Sequence, residues 1–167
     1  FLIAFVELSR TTITLDATGK VSGLLSLVVG AATFAGSLLA AGKLANKISG
    51  RPTLLRAHNA ILVGIVAVLV LMSVDAVGPD HAPAPWLVAM ILLSIVLGVV
   101  FGMRIGGADM PVLISFLNAT AGLAAALCGV VLKNRLLIVF GATVAASGAI
   151  LSYIMCKAMN RSLFEVL

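Results

Sequence analysis

In the stretch MRIGGADMPVLISFLNATAGLAAALCG, residues 103–129, one acid and one amide interrupt a run of aliphatic and small side chains. A carboxylate at such a place has two uses. It can cap the free N–H groups of a helix start, or it can take up and release a proton. Asp109 stands two residues before Pro111, a residue that favours the first helical turn. Capping and the mouth of a proton route are therefore both open readings, and they are compatible. Asn118 follows nine residues later, about 13 Å further along a helix axis. With Asp109 at a membrane interface, Asn118 falls near the bilayer midplane. An amide left without partners in hydrocarbon costs a few kcal/mol, so it must meet water or other polar groups. Thr33 and Ser37, at similar depth on another span, are the candidates. Asn118 reads either as interhelical glue, worth about 1 kcal/mol, or as part of a transport path. Nine residues turn a helix by half a revolution. Asp109 and Asn118 thus lie on opposite faces, and a direct relay between them needs water or another helix.

The elements that must position these residues are set by composition. The chain is 62% hydrophobic and 10% charged over 167 residues, where a soluble domain carries about a quarter charged residues. A chain of this length cannot hide so much apolar surface from water, so its solvent is lipid. An all-α, polytopic transmembrane bundle is expected. Its spans fall at about 22–42, 59–75, 86–103, 110–132 and 136–156, each close to the length that crosses about 30 Å of hydrocarbon. Residues 1–21 read as the tail of an upstream span followed by an external loop. Residues 22–167 form the bundle, and both ends of the chain suggest a piece of a longer polypeptide. The loop GKLANKISGRPTLLRAH carries Lys43, Lys47, Arg51 and Arg56, whereas SVDAVGPDHAPAP carries no lysine or arginine. The positive-inside rule then puts the N-terminus outside and the C-terminus inside, with seven basic residues inside and four outside.

The net charge of +5 does not indicate nucleic acid. The basic residues sit in short loops and form no basic face with interleaved aromatics. Cys128 and Cys156 have no metal-ligand spacing and read as small apolar fillers. His58 and His81 fall in loops and read as surface groups. No nucleotide-binding glycine loop, catalytic triad or metal cluster is present, so no residue here is expected to do covalent chemistry.

At 100° per residue, Pro111, Ser115, Asn118, Gly122, Ala125 and Gly129 share one face of the fourth span. Leu113, Phe116, Leu123, Leu127 and Val131 take the other. The first span has a similar stripe of Ser22, Ser26, Thr33, Ser37 and Ala40. The fifth has Gly141, Ala145, Gly148 and Ser152. Small and polar residues belong where helices approach closely or where water enters. Spans one, four and five are expected to line a common, hydrated interior, with spans two and three peripheral against lipid.

The segments GGADMPVLISFLN, LLIVFGATVAASGAILSYIMCKAMNRS and GKLANKISGRP closely resemble one family: the membrane domain of the beta subunit of proton-translocating nicotinamide nucleotide transhydrogenase. The similarity extends over about residues 24–163. The resemblance implies an enzyme in which proton passage through the membrane domain drives hydride transfer from NADH to NADP+. NAD(H) and NADP(H) are bound in soluble domains, and no cofactor is expected on these residues. It implies that the chain continues past its last span into a Rossmann-like NADP(H)-binding domain. Implied partners are the alpha subunit, the nucleotide-binding domains, upstream spans of the same chain, lipid and a second protomer. A bacterial inner membrane is expected ahead of a mitochondrial one.

By resemblance, Asp109 and Asn118 match the family's "ADMP" acid and the asparagine of its "LN" pair. Ser147 and Gly148 match its last-span "SG", and Arg161 its basic residue at the junction with the nucleotide domain. Together with Ser115, Thr33 and Ser37 as a wet path, Gly122 and Ser152 as packing positions and Lys157 beside Arg161, these are the candidate site residues. Ala145 and Ala146 stand where many members carry Gly and Ser. The family's protonatable histidine sits on a span preceding residue 1 and is expected to face Asn118. Half of a secondary transporter and a purely structural anchor are the competing functions.

Overall fold

The structure, a computed structural model, describes residues 1–9, 16–50, 58–77 and 84–162. Six helices are formed among them: α1 Leu2–Ser9, α2 Ala17–Leu44, α3 His58–Val77, α4 Ala84–Arg104, α5 Met110–Val131 and α6 Arg135–Ala158. A single 3-10 turn, Gly107–Asp109, connects α4 to α5. There is no strand among the described residues. Helices α2 to α6 are each long and apolar enough to cross a membrane. All five expected spans are found, most within two residues of their expected ends. The exception is the start of α2, at Ala17 instead of about 22. Lys20 lies in the first turns of that helix, and a lysine can extend its ammonium back to the interface without ending the span.

Three helices end on a residue in the left-handed region: Asn46 after α2, Lys133 after α5 and Asn160 after α6, with φ of 54°, 52° and 54°. Each end is closed by a turn bond between residues five apart, Lys47 N–H to Gly42 O, Asn134 N–H to Gly129 O and Arg161 N–H to Cys156 O. These bonds satisfy carbonyls that the helix leaves free. Asparagine adopts this conformation readily; at Lys133 it costs about 1 kcal/mol. Asn134 then turns the chain at once into α6, its side chain accepting from Leu137 N–H at 3.2 Å. The α5–α6 hairpin is therefore tight.

Between two apolar surfaces in lipid no hydrophobic force favours contact, so close packing of small residues must hold the bundle together. Helix α2 is the centre, packed against both α4 and α5, which meet beside it at Phe101 and Phe116, and α6 packs on another face of α5. Helix α1 runs antiparallel to the first half of α2, Leu8 seated on Gly23 and Phe1 beside Gly30. Helix α3 lies outside, mostly exposed, as its uniformly aliphatic sequence implies.

Helix α4 is not peripheral, which corrects one expectation. A Cβ at Gly98 would stand 2.0 Å from Ala32 O, and one at Gly102 would stand 2.7 Å from Leu39 Cδ2. Gly98 and Gly102 are four residues apart and so share a face. Their stripe is what admits the backbone of α2. The chain reverses at every span. The ends of α2, α4 and α6 and the starts of α3 and α5 therefore lie on one side, called here the Arg161 side.

Candidate functional site

Helix α5 has two packed faces of different character. On the α6 face, glycine meets backbone. A Cβ at Gly122 would be 2.5 Å from Ala145 N, one at Gly141 2.4 Å from Ala126 N, one at Gly129 2.7 Å from Ile138 N and one at Gly148 2.8 Å from Ala119 N. No water fits in such a seam. The polar groups in it serve one carbonyl. Ser115 Oγ donates to Gly148 O across the interface at 3.0 Å, and Ser152 Oγ donates to the same oxygen at 2.8 Å. Both serines are buried. Ser147, one position away, is exposed and bonds within its own helix to Val144 O.

On the α2 face, polar contacts stand at intervals among apolar ones. Ser26 Oγ donates to Ala124 O at 2.9 Å. At mid-depth Thr33 Oγ1 lies 3.1 Å from Thr120 Oγ1, and each hydroxyl also reaches a carbonyl of its own helix, Val29 O for Thr33 and Phe116 O and Leu117 O for Thr120. Toward the Arg161 side the two helices stay packed, Ala40 lying in one cluster with Met110, Leu113 and Leu117. Beside that contact is a groove of about 350 Å³, lined by Asn118, Ser37, Ala40, Ala41, Leu117 and Ile114 among others. Asn118 and Ser37 are both exposed there. Thr33 is not the neighbour of Asn118; it is taken by Thr120, which sequence reasoning did not select.

The expected common interior is therefore divided. Helix α5 stands between α2 and α6, so the three stripes do not converge on one channel. The small-residue face of α5 splits. Ser115, Gly122 and Gly129 turn to α6, while Pro111 and Asn118 are exposed. Leu113 and Val131, expected against lipid, are buried, as is Leu117. Leu117 packs on Gly36, whose missing side chain makes room for it. A helical wheel separates small from large residues, but a large residue seated on a glycine is as well buried as a small one.

At the Arg161 side, Asp109 ends the 3-10 turn and immediately precedes α5. Its carboxylate makes no capping bond to the helix. Instead Arg161 Nη1 donates to both oxygens, at 2.8 and 3.0 Å. The pair ties the start of α5 to the residue just past α6. Asp109 is 20% exposed and Arg161 52%, so the tie is half in water. Lys157, one turn earlier on α6, is exposed.

The segment presenting Asp109 is held by a second cation that the sequence placed in a loop. Lys43 lies within α2 and is buried. Its ammonium donates to Gly102 O at 2.9 Å, Met103 O at 3.3 Å and Ile105 O at 2.8 Å. It thereby caps the C-terminus of a neighbouring helix, where the dipole favours positive charge. Ile105 is buried against Ala40, Met110 and Leu113, and Gly107 N–H donates to Gly50 O. The sequence reading ends the span at about 42 and puts Lys43 in the loop; the structure places it in the last turn of α2. His58 also departs from its expected surface position. It is the first residue of α3, buried, and neither ring nitrogen meets a partner among the described residues. His81, Arg51 and Arg56 lie outside the described residues. No group of three or more metal-ligating side chains occurs among the described residues.

A family model described as NAD(P) transhydrogenase beta subunit matches residues 1–167. The chain belongs to that family. The resemblance carried by GGADMPVLISFLN and the last-span segment is thus borne out. The NAD(P) transhydrogenase subunit beta of Rhodospirillum rubrum is 51% identical over 144 residues, covering 86% of this chain and 30% of the relative. A second sequence of that subunit, from a designated strain of the same species, gives the same figures. The chain thus spans under a third of the length of these relatives. Within this transhydrogenase family it is a multi-pass membrane segment, as its five apolar helices require.

Proposed function

We propose that the chain is the proton-conducting part of a transhydrogenase, in which proton passage through the membrane is coupled to hydride transfer from NADH to NADP+. One observation carries this reading. Asn118 and Ser37 open into a groove on α2 and α5, in the half of the bilayer that ends at the Asp109–Arg161 pair. An exposed amide and hydroxyl at that depth hold water where aliphatic walls do not. The same helix, α5, carries Asn118 at mid-depth and begins just after Asp109. A change of hydration or charge in the groove therefore reaches the Asp109–Arg161 tie through one rigid element.

In this reading Ser115, Gly122, Gly148 and Ser152 keep α5 and α6 together as one body. Arg161 and Lys157 pass its movement to the nucleotide-binding domains of the whole enzyme, which supply the NAD(H) and NADP(H) sites. The Arg161 side faces the cytoplasm, since it holds most of the basic residues. The alpha subunit and a second protomer complete the assembly. A transporter half is less well supported, because none of the five long helices is interrupted. A pure anchor has no use for an exposed midspan asparagine.

The test uses the whole enzyme in inverted membrane vesicles. Asn118→Leu is expected to lower hydride transfer driven by an imposed proton gradient at least tenfold, with NADPH affinity unchanged. Undiminished gradient-driven transfer would return Asn118 to a packing role.

A further inference from the structure

On the opposite side of the α2–α5 contact from Asn118 lies a second cavity, about 300 Å³, walled by four helices. Its lining is aliphatic and aromatic: Leu62 and Val66 of α3, Leu97 and Phe101 of α4, and Phe116 of α5, with Thr33 and Thr120 at its floor. Both floor hydroxyls already have partners in each other and in helix carbonyls. Water in such a space needs two to four polar partners and does not find them. An empty space this large forfeits the dispersion contacts of its walls. The slot therefore takes an apolar occupant.

Its shape and position narrow the choice. On each wall the lining residues span about one helical turn, roughly 6 to 8 Å along the axis. A slot of that volume admits a hydrocarbon chain. It lies between mid-depth and the Arg161 side. Arg104 comes one turn after Phe101 on α4, and Asn59 one turn before Leu62 on α3, so both stand over its end. Arg104 Nη1 donates to Asn59 Oδ1 at 3.0 Å, its one side-chain hydrogen bond among the described residues, and a guanidinium carries five donors. Arg104 is the last residue of α4, about 15 Å from the middle of that helix and so at the level of lipid headgroups.

We propose that this slot is a specific phospholipid site, with an acyl chain lying against Val66, Leu97, Phe101 and Phe116 and the anionic phosphate on Arg104. The site is independent of the proton path, from which α2 and α5 separate it. A bound lipid fills the gap between α3 and α5, which do not pack on one another closely, and so holds α3 to the bundle.

Native mass spectrometry of the detergent-purified whole enzyme tests this, with dioleoyl phosphatidylglycerol or dioleoyl phosphatidylcholine added as probe. The wild type is expected to retain about one phosphatidylglycerol per chain more than phosphatidylcholine. Arg104→Gln should lower phosphatidylglycerol retention about fivefold, as expected for one cationic contact to an anionic headgroup, and leave phosphatidylcholine unchanged. Val66→Trp should reduce both lipids by filling the slot. Leu62→Trp serves the same purpose should Val66→Trp unfold; both sit on the loosely packed α3. Equal retention by wild type and all variants would overturn the proposal. So would a wild type that retains no lipid above background, which would mean that another part of the polypeptide fills the slot.

Discussion

The two faces of α5 use similar residue types to opposite ends. Against α6, glycines remove side chains until backbones touch, and two serines spend their hydroxyls on one buried carbonyl. Against α2, a threonine pair and a serine bridge the helices among apolar contacts, and a groove beside that contact exposes Asn118 and Ser37. A small or polar residue in a membrane helix is thus not by itself a sign of water. What decides is whether its neighbour across the interface is backbone or open space. The first face makes α5 and α6 one rigid unit, and the second leaves that unit a polar edge.

The largest expected effect comes from forcing a side chain into the tight face. Gly122→Leu should destabilise the bundle by about 3 kcal/mol, since its Cβ alone already collides with α6. Gly64→Leu, on the exposed helix α3 where a Cβ meets nothing within 4 Å, should stay within about 1 kcal/mol. Thermal unfolding of the two variants in detergent would compare them, and equal loss would erase the contrast.

Lys43→Met comes next. It keeps the aliphatic stem and removes three bonds to the end of α4, which should cost about 1 to 3 kcal/mol. The same unfolding measurement reads it. A larger drop in stability than Gly122→Leu would make the α2–α4 seam, not the α5–α6 seam, the stiffest part of the bundle.

Smaller still is Ser115→Ala, about 0.6 kcal/mol, because Ser152 continues to serve Gly148 O. Removing both serines should cost more than the two single losses added together, a coupling that a double-mutant cycle measures directly. Asp109→Asn should change stability by less than about 1 kcal/mol, as half-exposed ion pairs do.

Much of this arrangement was legible in the sequence. Helix number, span limits and family all follow from hydropathy and from two long segments. The glycine stripe of α6 was legible as well, since Gly141, Gly148 and Ser152 recur at helical spacing. What the wheel did not reveal was which stripe meets which. Gly98 and Gly102 lie on a span that otherwise reads as lipid-facing, and their role depends on Ala32 and Leu39 of another helix. Asn118 and Ser115 share a stripe in projection, yet one turns to a groove and the other to a dry seam. The Asp109–Arg161 bond joins residues 52 positions apart, each selected for a separate reason. Lys43 was read by charge alone as a loop residue, since nothing local shows that three orphan carbonyls of α4 stand within its reach.

The proposed division between a wet and a dry face of α5 can be tested by thiol accessibility in membranes holding the whole enzyme. Native Cys128 and Cys156 are buried and should give no background from this part of the chain. A charged, water-soluble thiol reagent is predicted to modify Asn118→Cys and to leave Ser115→Cys unmodified over the same time. Equal reaction at both positions, or reaction at Ser115→Cys alone, would contradict the account.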